Sequence, residues 1–214
     1  MTTRPSSLRK QRAILAAAEE AFLGGGYAVV TMDEIAERSG VAKQTVYAHF
    51  GSKEALFVEL VTAMTREAGD QVSADASEVG SLEELARTLE DRLVRQLDIV
   101  LAPRLLQLRR LVIGEVARFP ALARALAEND PHRAIEAFAG LLNQARDRGV
   151  VDVPDARAAA AQLNWLVMGG PLNDAMLLGD DAVPSHAQRR AHVRDAVALF
   201  LAAHSATARA DAGC

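Results

Sequence analysis

The side chains best suited to binding chemistry in this sequence lie close together, within residues 43–49. Lys43 supplies a cation, Gln44 an amide that can pair with an adenine edge, and Thr45 a hydroxyl, while Tyr47 and His49 supply rings with polar tips. Side chains of these types contact the phosphates and base edges of duplex DNA. The segment therefore indicates a nucleic-acid contact surface, provided that one helix presents all five side chains together.

Residues that could catalyse a reaction or bind a metal are scattered along the chain. The histidines outside the 43–49 segment are His132, His186, His192 and His204. They form no HExxH or other ligand spacing, and the chain has no P-loop, no GxSxG and no dinucleotide fingerprint. The acidic pairs Glu83-Glu84 and Asp180-Asp181 are typical of solvated helix ends. The sequence therefore predicts a protein that is not an enzyme and needs neither a cofactor nor a metal.

Two short amphipathic helices are predicted on either side of Ser39-Gly40. The spacing from Thr31 to Glu34 is that of a capping box, which begins the first helix, and Val41 to Phe50 continues the helical pattern after the break. The apolar side chains expected to pack this module together are Ile14, Phe22, Ile35, Val41, Val46 and Phe50. That packing leaves the polar side chains of residues 43–49 outside, as in a helix-turn-helix whose second helix enters the major groove.

Residues 31–53 resemble the DNA-binding signature of the TetR/AcrR family of regulators. The resemblance is carried by Ile35-Ala36, Ser39-Gly40-Val41, Gln44-Thr45-Val46-Tyr47, His49-Phe50, Ser52-Lys53-Glu54 and Leu56. Ala42 and Gln44 depart from the Ser and Gly that are frequent there, which could alter base preference. The resemblance implies phosphate contacts by Thr31, Lys43, Tyr47, His49 and Lys53. It implies base contacts by Gln44 and Thr45.

Single residues of this set have plainer interpretations, which stay open at this point. Tyr47 could be a half-buried packing residue and His49 an ordinary surface histidine. Lys43 and Lys53 could be solvated charges, and Thr31 is in any case suited to cap a helix. The combined spacing, rather than any one residue, favours DNA binding.

The rest of the chain also consists of helical patterns separated by turn residues. A helix is predicted from Leu8 to Leu23, and another begins after Ser52. Beyond the polar stretch Asp70–Gly80, the predicted helices begin near Ser81, Arg104, Pro120, Asp130-Pro131, Pro154 and Ser185. The helix near Pro154 is interrupted by Gly169-Gly170-Pro171, which we interpret as a simple break rather than a functional kink. We predict an all-α protein with a three-helix DNA-binding domain at 1–51 and a helical ligand-binding and dimerisation domain at 52–214.

The region from Ser81 onward resembles, more weakly, the C-terminal domain of AefR-like members of the same family. The stretch from Arg110 to Pro120, the Asp130-Pro131 helix start and Gly169-Gly170 carry this second resemblance. It implies a cavity for a small effector, for which the candidate lining residues are Met64, Leu105, Arg109, Phe119, Phe138, Leu142, Asn164, Trp165 and Met168. The alternative for each of them is a plain core position.

Apolar residues of the last two predicted helices indicate a homodimer. These helices carry more apolar side chains than one chain should expose to water. The residues are Ala159, Leu163, Leu166, Val167, Val193, Val197, Phe200 and Leu201. An isologous dimer would bury them, as the family resemblance also implies. It would set two recognition helices roughly 34 Å apart, one turn of DNA.

Charge is distributed unevenly although the whole chain carries a net charge of −4. Residues 1–54 hold seven Lys or Arg against six acids, which gives +1, and the remainder holds 17 against 22, which gives −5. Four of these cations, Arg4, Arg9, Lys10 and Arg12, precede the first acid and form a basic arm. The three lysines of the chain, Lys10, Lys43 and Lys53, all lie in this first quarter.

Cysteine content and hydropathy indicate the cellular compartment of the protein. The single cysteine, Cys214, excludes a disulfide within one chain, and a redox switch at this thiol is the weaker alternative to an inert tail. No run approaches the ~18 apolar residues of a membrane span. We expect a cytoplasmic protein with no membrane contact.

These patterns together predict a transcription regulator that binds palindromic double-stranded operator DNA as a homodimer. A small, largely apolar effector would release it. We favour a repressor, and an activator stays open because both use the same DNA-binding module. Two alternatives remain: a ligand-independent architectural DNA-binding protein, and a helical binding protein that has lost DNA function.

Overall fold

The computed structural model describes residues 5–72, 79–129 and 131–205, and these residues form ten α-helices. In chain order the helices are α1 Pro5–Gly25, α2 Met32–Ser39, α3 Lys43–Phe50, α4 Lys53–Val72, α5 Leu82–Val100, α6 Pro103–Glu115, α7 Pro120–Asn129, α8 Pro131–Asp147, α9 Ala156–Leu178 and α10 His186–His204. The described ranges contain no β-strand beyond an isolated bridge between Val151 and Ser205. The predicted all-α fold is therefore confirmed. Arg4, Asp130 and Cys214 lie outside the described residues.

Side-chain caps begin several helices where the sequence predicted them. The hydroxyl of Thr31 accepts a hydrogen bond from the Glu34 N–H at 3.2 Å, and the hydroxyl of Ser81 accepts one from the Glu84 N–H at 3.2 Å. At α10, Ser185 and Gln188 bond each other's backbone N–H reciprocally. Each cap satisfies N–H groups that have no partner within the helix, which fixes the start of the helix.

The chain divides into two compact units. The first contains residues 1–65 and 107–127, and the second contains residues 66–106 and 128–214. Both units therefore contain segments that are distant in sequence. The predicted functional boundary after residue 51 stays a prediction, because compact units are defined by packing rather than by activity.

Aromatic rings fill the core of the first unit. Phe22 and Tyr27 stack at 5.6 Å between ring centroids, and Phe57 meets Phe22 edge to face at 5.0 Å. Phe119 meets the Tyr27 ring at 4.6 Å. Edge-to-face and offset pairs of this kind restrict the rings beyond what burial alone achieves. The cluster joins α1, α4 and the segment just before α7 around Tyr27.

Leucines of α5 form the centre of the second unit. Leu85, Leu89, Leu93 and Leu97 are fully buried and share a core with apolar side chains of α8, α9 and α10. Helices α9 and α10 also pack on each other, and α10 packs on α5. Burying a leucine stabilises a fold by roughly 1.5–3 kcal/mol, so this stripe holds the unit together.

Helix α9 continues through Gly169-Gly170-Pro171, so the predicted break at this point is wrong. Pro171 has no N–H to donate to the carbonyl of Val167, four residues earlier. That carbonyl instead accepts a hydrogen bond from Nε2 of His192 on α10, at 2.9 Å. A bond between two helices thus replaces the one that proline removes within the helix.

None of the helices in the described ranges combines the length and the apolar character needed to span a membrane.

Candidate nucleic-acid interface

Helix α3 presents a polar face with a single fully buried residue behind it. Val46 is completely buried, whereas Lys43 and Gln44 are exposed and Thr45 is half-buried. Tyr47 is 43% exposed, so its ring is not a core residue. One helix therefore displays the predicted contact residues together. Their contact with DNA stays a prediction.

The turn before α3 depends on a glycine. Gly40 ends α2 in the left-handed region with φ 64°, and its N–H donates to the carbonyls of Ala36 and Glu37. The next N–H, of Val41, donates to the Ala36 carbonyl at 3.2 Å. A side chain at φ > 0 is strained, so a residue without Cβ allows this tight connection between α2 and α3.

Lys43 already has an anionic partner in the free protein. Its ammonium donates to the Asp33 carboxylate on α2 at 2.8 Å, and the side chains are 58% and 61% exposed. The hydrogen bond that Lys43 donates to Asp33, and then the negative charge of Asp33, raise the pKa of Lys43. The ammonium also lies 5.9 Å from the centre of the Tyr47 ring. Asp33 therefore holds the lysine over the polar face while leaving it accessible to another anion.

Lys53 has different surroundings from Lys43. Its ammonium donates to the backbone carbonyls of Tyr27 at 2.8 Å, Val30 at 3.0 Å and Ala28 at 3.3 Å. It also lies 4.6 Å from the centre of the Tyr27 ring. These contacts do not test the predicted phosphate contact of Lys53, but they give its ammonium a full set of acceptors.

The remaining predicted contact residues lie on the same compact unit. Thr31 is exposed at the start of α2, where it acts as the cap described above, and the His49 ring is tilted against Phe50 at 6.0 Å. In α1, the basic side chains of Arg9, Lys10 and Arg12 are exposed. They place positive charge on the first unit.

Two family models match the chain. The model of the tetR family of bacterial regulatory proteins matches residues 14–60, and that of the C-terminal domain of AefR-like transcriptional repressors matches residues 87–206, more than half of the chain. The chain belongs to the TetR family. Regulators of this family bind DNA and usually act as dimers with small-molecule effectors.

Solved structures agree with the family over the whole chain. A TetR-family regulator from Mesorhizobium loti is 32% identical, with a TM-score of 0.83, covering 95% of this chain and 100% of that one. The flavonoid-responsive regulator FrrA is 31% identical, with a TM-score of 0.76, covering 92% and 97%. These neighbours are transcription regulators.

Curated relatives match over shorter or more divergent stretches. The repressor BepR of Brucella suis is 28% identical over 179 residues, which is 80% of this chain and 83% of that protein. Two other regulators match over 61 and 48 residues, so the match covers only 32% and 22% of their lengths.

The predicted effector residues of this TetR-family chain divide between the two compact units. Met64, Arg109 and Phe119 belong to the first, and the second contains Leu105, Phe138, Leu142, Asn164, Trp165 and Met168. In the second unit, Phe138, Leu142 and Met168 share one apolar core. Burial lowers the pKa of Arg109 to about 10, so it stays protonated at neutral pH.

Trp165 is a different case, because its side chain is 52% exposed. It was a candidate lining residue, and an indole N–H would need a hydrogen-bond partner if it were buried. That reason does not apply to a ring half in solvent.

Gln96, which the sequence analysis missed, lies in the core of the second unit. It is buried on α5 and donates through Nε2 to the side-chain oxygen of buried Asn164 on α9, at 3.0 Å. Its own Oε1 has no hydrogen-bond partner among the described residues. The signal was present in the sequence, since position 96 follows Leu93 by three and precedes Val100 by four on the leucine stripe. Among described residues, no cluster of three His, Cys, Asp or Glu could hold a metal.

Most of the eight residues predicted at the dimer interface are buried within one chain, so they do not form the exposed surface that was expected. Seven are buried within the single chain: Ala159, Leu163, Val167, Val193, Val197, Phe200 and Leu201. Only Leu166, at 41%, is exposed. The expectation that one chain leaves them uncovered is wrong, because α9 packs against α8 and α10, and α10 against α5. The large apolar side chains that α9 and α10 do expose are Trp165, Leu166, Leu177, Leu178 and Leu199.

Proposed function

We propose that this TetR-family protein is a repressor that recognises palindromic operator DNA through the exposed face of α3. The observation that carries the proposal is that α3 turns Lys43, Gln44 and Tyr47 outward while Val46 alone is fully buried. Gln44 and Thr45 read base edges, and Lys43, Tyr47, His49 and Thr31 hold the phosphates. Similarity to the repressor BepR over most of the chain supports repression rather than activation.

The DNA proposal is tested with DNA that the protein itself selects from a random pool. We expect a palindromic consensus, bound with a steep salt dependence. Gln44→Ala should lower affinity for the consensus by roughly tenfold and leave affinity for scrambled DNA unchanged, since a base contact carries only sequence-specific energy. Failure to select any sequence would favour an architectural protein that binds without an operator. Absence of DNA binding would contradict the proposal altogether.

Dimerisation through the exposed apolar face of α9 and α10 is part of the same proposal. Trp165, Leu166 and Leu199 are large apolar side chains at 41–63% exposure on two helices that pack on each other. Large apolar side chains that stay exposed on two adjacent helices are candidates for an interface with a partner. A second copy meeting this face across a two-fold axis gives the paired recognition helices that a palindrome requires.

We further propose that the effector is small and largely apolar, and that it carries a hydroxyl or another hydrogen-bond donor. Leaving an amide oxygen buried and unpaired costs about 1–3 kcal/mol, and the Oε1 of Gln96 is such an atom. Gln96 lies on the leucine face of α5. The core that these leucines form also contains Phe138 and Met168. A donor from the effector satisfies it. Similarity to the flavonoid-responsive FrrA supports a compound of the flavonoid class.

A flavonoid with free hydroxyls and its fully O-methylated derivative form a matched pair of probes for this site. We expect the hydroxylated compound to raise the melting temperature and to release operator DNA, and the methylated one to do neither. Gln96→Leu should abolish the response while retaining DNA binding. Equal responses to both probes would show that no donor is recognised. An effector releases DNA only if it binds the free protein more tightly than the DNA complex.

A further inference from the structure

Helix α9 is locally weakened at residues 167–171, although it continues through them. Pro171 cannot donate to the Val167 carbonyl, so one hydrogen bond of the helical ladder is missing there. Gly169 and Gly170 lie in the same turn, and glycine loses more backbone freedom in a helix than any other residue. We call residues 167–171 the α9 hinge segment.

The contact that compensates for the missing bond comes from another helix. Nε2 of His192 on α10 donates to the Val167 carbonyl at 2.9 Å. Apart from the adjacent residues and the helix backbone, no atom of the described residues lies within 4 Å of the place that a Cβ would take on Gly169 or Gly170. His192 therefore latches the hinge segment in its helical form, and loss of that bond allows α9 to bend there.

The inner side of the hinge segment belongs to the core that surrounds Gln96. Val167 and Met168 are buried there together with Phe138 of α8. Asn164, which accepts the hydrogen bond from Gln96 at 3.0 Å, precedes Val167 by about one turn of α9. The turn that lacks a ladder bond thus follows directly on the residues that line the proposed effector site.

Protein cores are close-packed, so a molecule the size of a flavonoid needs one wall of this core to move aside. A turn of helix that lacks a backbone hydrogen bond bends at lower cost than a complete one. We propose that the α9 hinge segment is the wall that yields: His192 releases the Val167 carbonyl, α9 bends, and the effector occupies the space beside Gln96. This inference rests on the proposed effector site.

Bending at the hinge segment also changes the exposed apolar face of α9. Trp165 and Leu166 precede the segment, Leu177 and Leu178 follow it, and all four are at least 41% exposed. A bend alters the angle between these two pairs. A second copy that covers both pairs therefore meets a different surface when the effector is bound, which couples effector binding to dimer geometry.

Hydrogen exchange of the free protein tests the hinge segment without any ligand. Pro171→Ala restores the missing N–H, so we expect backbone amides of residues 168–175 to exchange about tenfold or more slowly. His192→Ala removes the latch, and the same amides should exchange faster by a similar factor. If His192→Ala folds poorly, Pro171→Ala still gives the result.

A matched pair of glycine variants separates bending of α9 from a general change in stability. Gly169→Ala adds helix propensity inside the hinge segment and should slow exchange at residues 168–175 by a few-fold. Gly140→Ala makes the same change at an exposed position of α8 where a Cβ also meets no neighbour. It should leave exchange at residues 168–175 as in the wild type.

The hydroxylated flavonoid proposed as a probe gives a second readout, its affinity measured by isothermal titration calorimetry. Apparent affinity scales with the fraction of molecules in which the hinge segment is open. We expect Pro171→Ala to weaken flavonoid binding about tenfold or more and Gly169→Ala to weaken it by a few-fold. His192→Ala should strengthen binding, whereas Gly140→Ala should leave it unchanged. A purely structural role of the segment would not shift affinity in opposite directions.

The inference is overturned if Pro171→Ala leaves hydrogen exchange at residues 168–175 unchanged. It is equally overturned if Pro171→Ala and His192→Ala shift flavonoid affinity in the same direction, or if Gly140→Ala matches Gly169→Ala in both measurements. A wild-type protein that binds no flavonoid would instead contradict the proposed effector class, and the exchange measurement would still decide whether the hinge segment opens.

Discussion

Two cationic side chains of the same type differ here because of the partners that surround each of them. Lys43 is paired with an exposed carboxylate, and Lys53 donates to backbone carbonyls beside an aromatic ring. The resemblance implied a phosphate contact for both lysines, although only Lys53 is among the residues that carry it. The structure gives the two ammonium groups different hydrogen-bond acceptors.

Asp33 and DNA would compete for Lys43 under the proposed function. Mutation of Asp33 should therefore raise the affinity of the protein for DNA. Asp33→Asn removes the carboxylate that holds the ammonium and also a negative charge near the phosphates. We expect DNA to bind a few-fold more tightly at low salt, with the gain shrinking as salt rises. Fluorescence anisotropy across a salt series measures it, with Glu37→Gln on the same exposed helix as the control for charge alone. Equal gains in the two variants would mean that the ion pair itself is irrelevant.

At this scale the sequence predicted the types of contact residue but not their environments. Gln44 and Thr45 follow from helical spacing, because positions on one face of a short helix are fixed by its period. The hydrogen bonds of Lys53 are made to carbonyls of residues 27–30, more than 20 positions away. No local pattern encodes a contact made only after α1 and α4 have packed.

Helix boundaries were predictable wherever a side chain caps the helix. Thr31, Ser81 and Ser185 all accept backbone hydrogen bonds at the predicted starts. The prediction failed in α9, where the sequence Gly-Gly-Pro suggested a break. The continuity of α9 depends on His192 of α10, which bonds the Val167 carbonyl. Rules based on neighbouring residues in the sequence cannot predict this contact.

The turn between α2 and α3 gives a prediction about stability. Gly40→Ala places a Cβ at φ 64°, where no neighbouring atom clashes but the backbone itself is strained. We expect a loss of about 1 kcal/mol in the free energy of unfolding, measured by urea denaturation. Gly24→Ala, within the last turns of α1, is the matched control and should be neutral or stabilising, since it adds helix propensity without strain. Similar losses at both positions would argue against a special role for the Gly40 turn.

His192 and Pro171 should be energetically coupled. His192→Ala leaves the Val167 carbonyl without its donor, and we expect this to lower the free energy of unfolding by about 1–3 kcal/mol. In a Pro171→Ala background the restored N–H can bond that carbonyl within the helix, so the same mutation should have a smaller effect. A double-mutant cycle in urea gives the coupling directly. Additive effects would show that the histidine does not substitute for the missing N–H.

At the scale of the whole molecule, seven of the eight apolar residues predicted to be exposed on the last two helices are buried within the chain, and only Leu166 is exposed. α9 and α10 carry apolar residues on more than one face, and periodicity cannot tell which face packs inside the chain. The structure buries Leu163 and Val197 and leaves Trp165 and Leu199 exposed. Gln96 could have been placed on the leucine stripe from its spacing, but its hydrogen bond to Asn164 on another helix could not be predicted from the sequence.

The proposed dimer face gives a prediction about assembly. Leu199→Arg would bury an unpaired charge between two copies, so we expect a monomer in analytical ultracentrifugation and at least a tenfold loss of operator affinity. Ile113→Arg, at an exposed apolar position of the first unit, is the control and should remain a dimer. A dimeric Leu199→Arg protein would exclude this face as the interface.

The distribution of lysine also makes the chain selectively open to covalent modification. Side-chain amines occur only at Lys10, Lys43 and Lys53, all in the compact unit that carries α3. Acylating or reductively methylating reagents will therefore modify lysines of the first unit and none of the second. Within the first unit, the Lys43 side chain is 58% exposed, whereas the Lys53 ammonium donates to three backbone carbonyls. Under the proposed function, intact mass measured during such a reaction would report how far bound DNA protects Lys43.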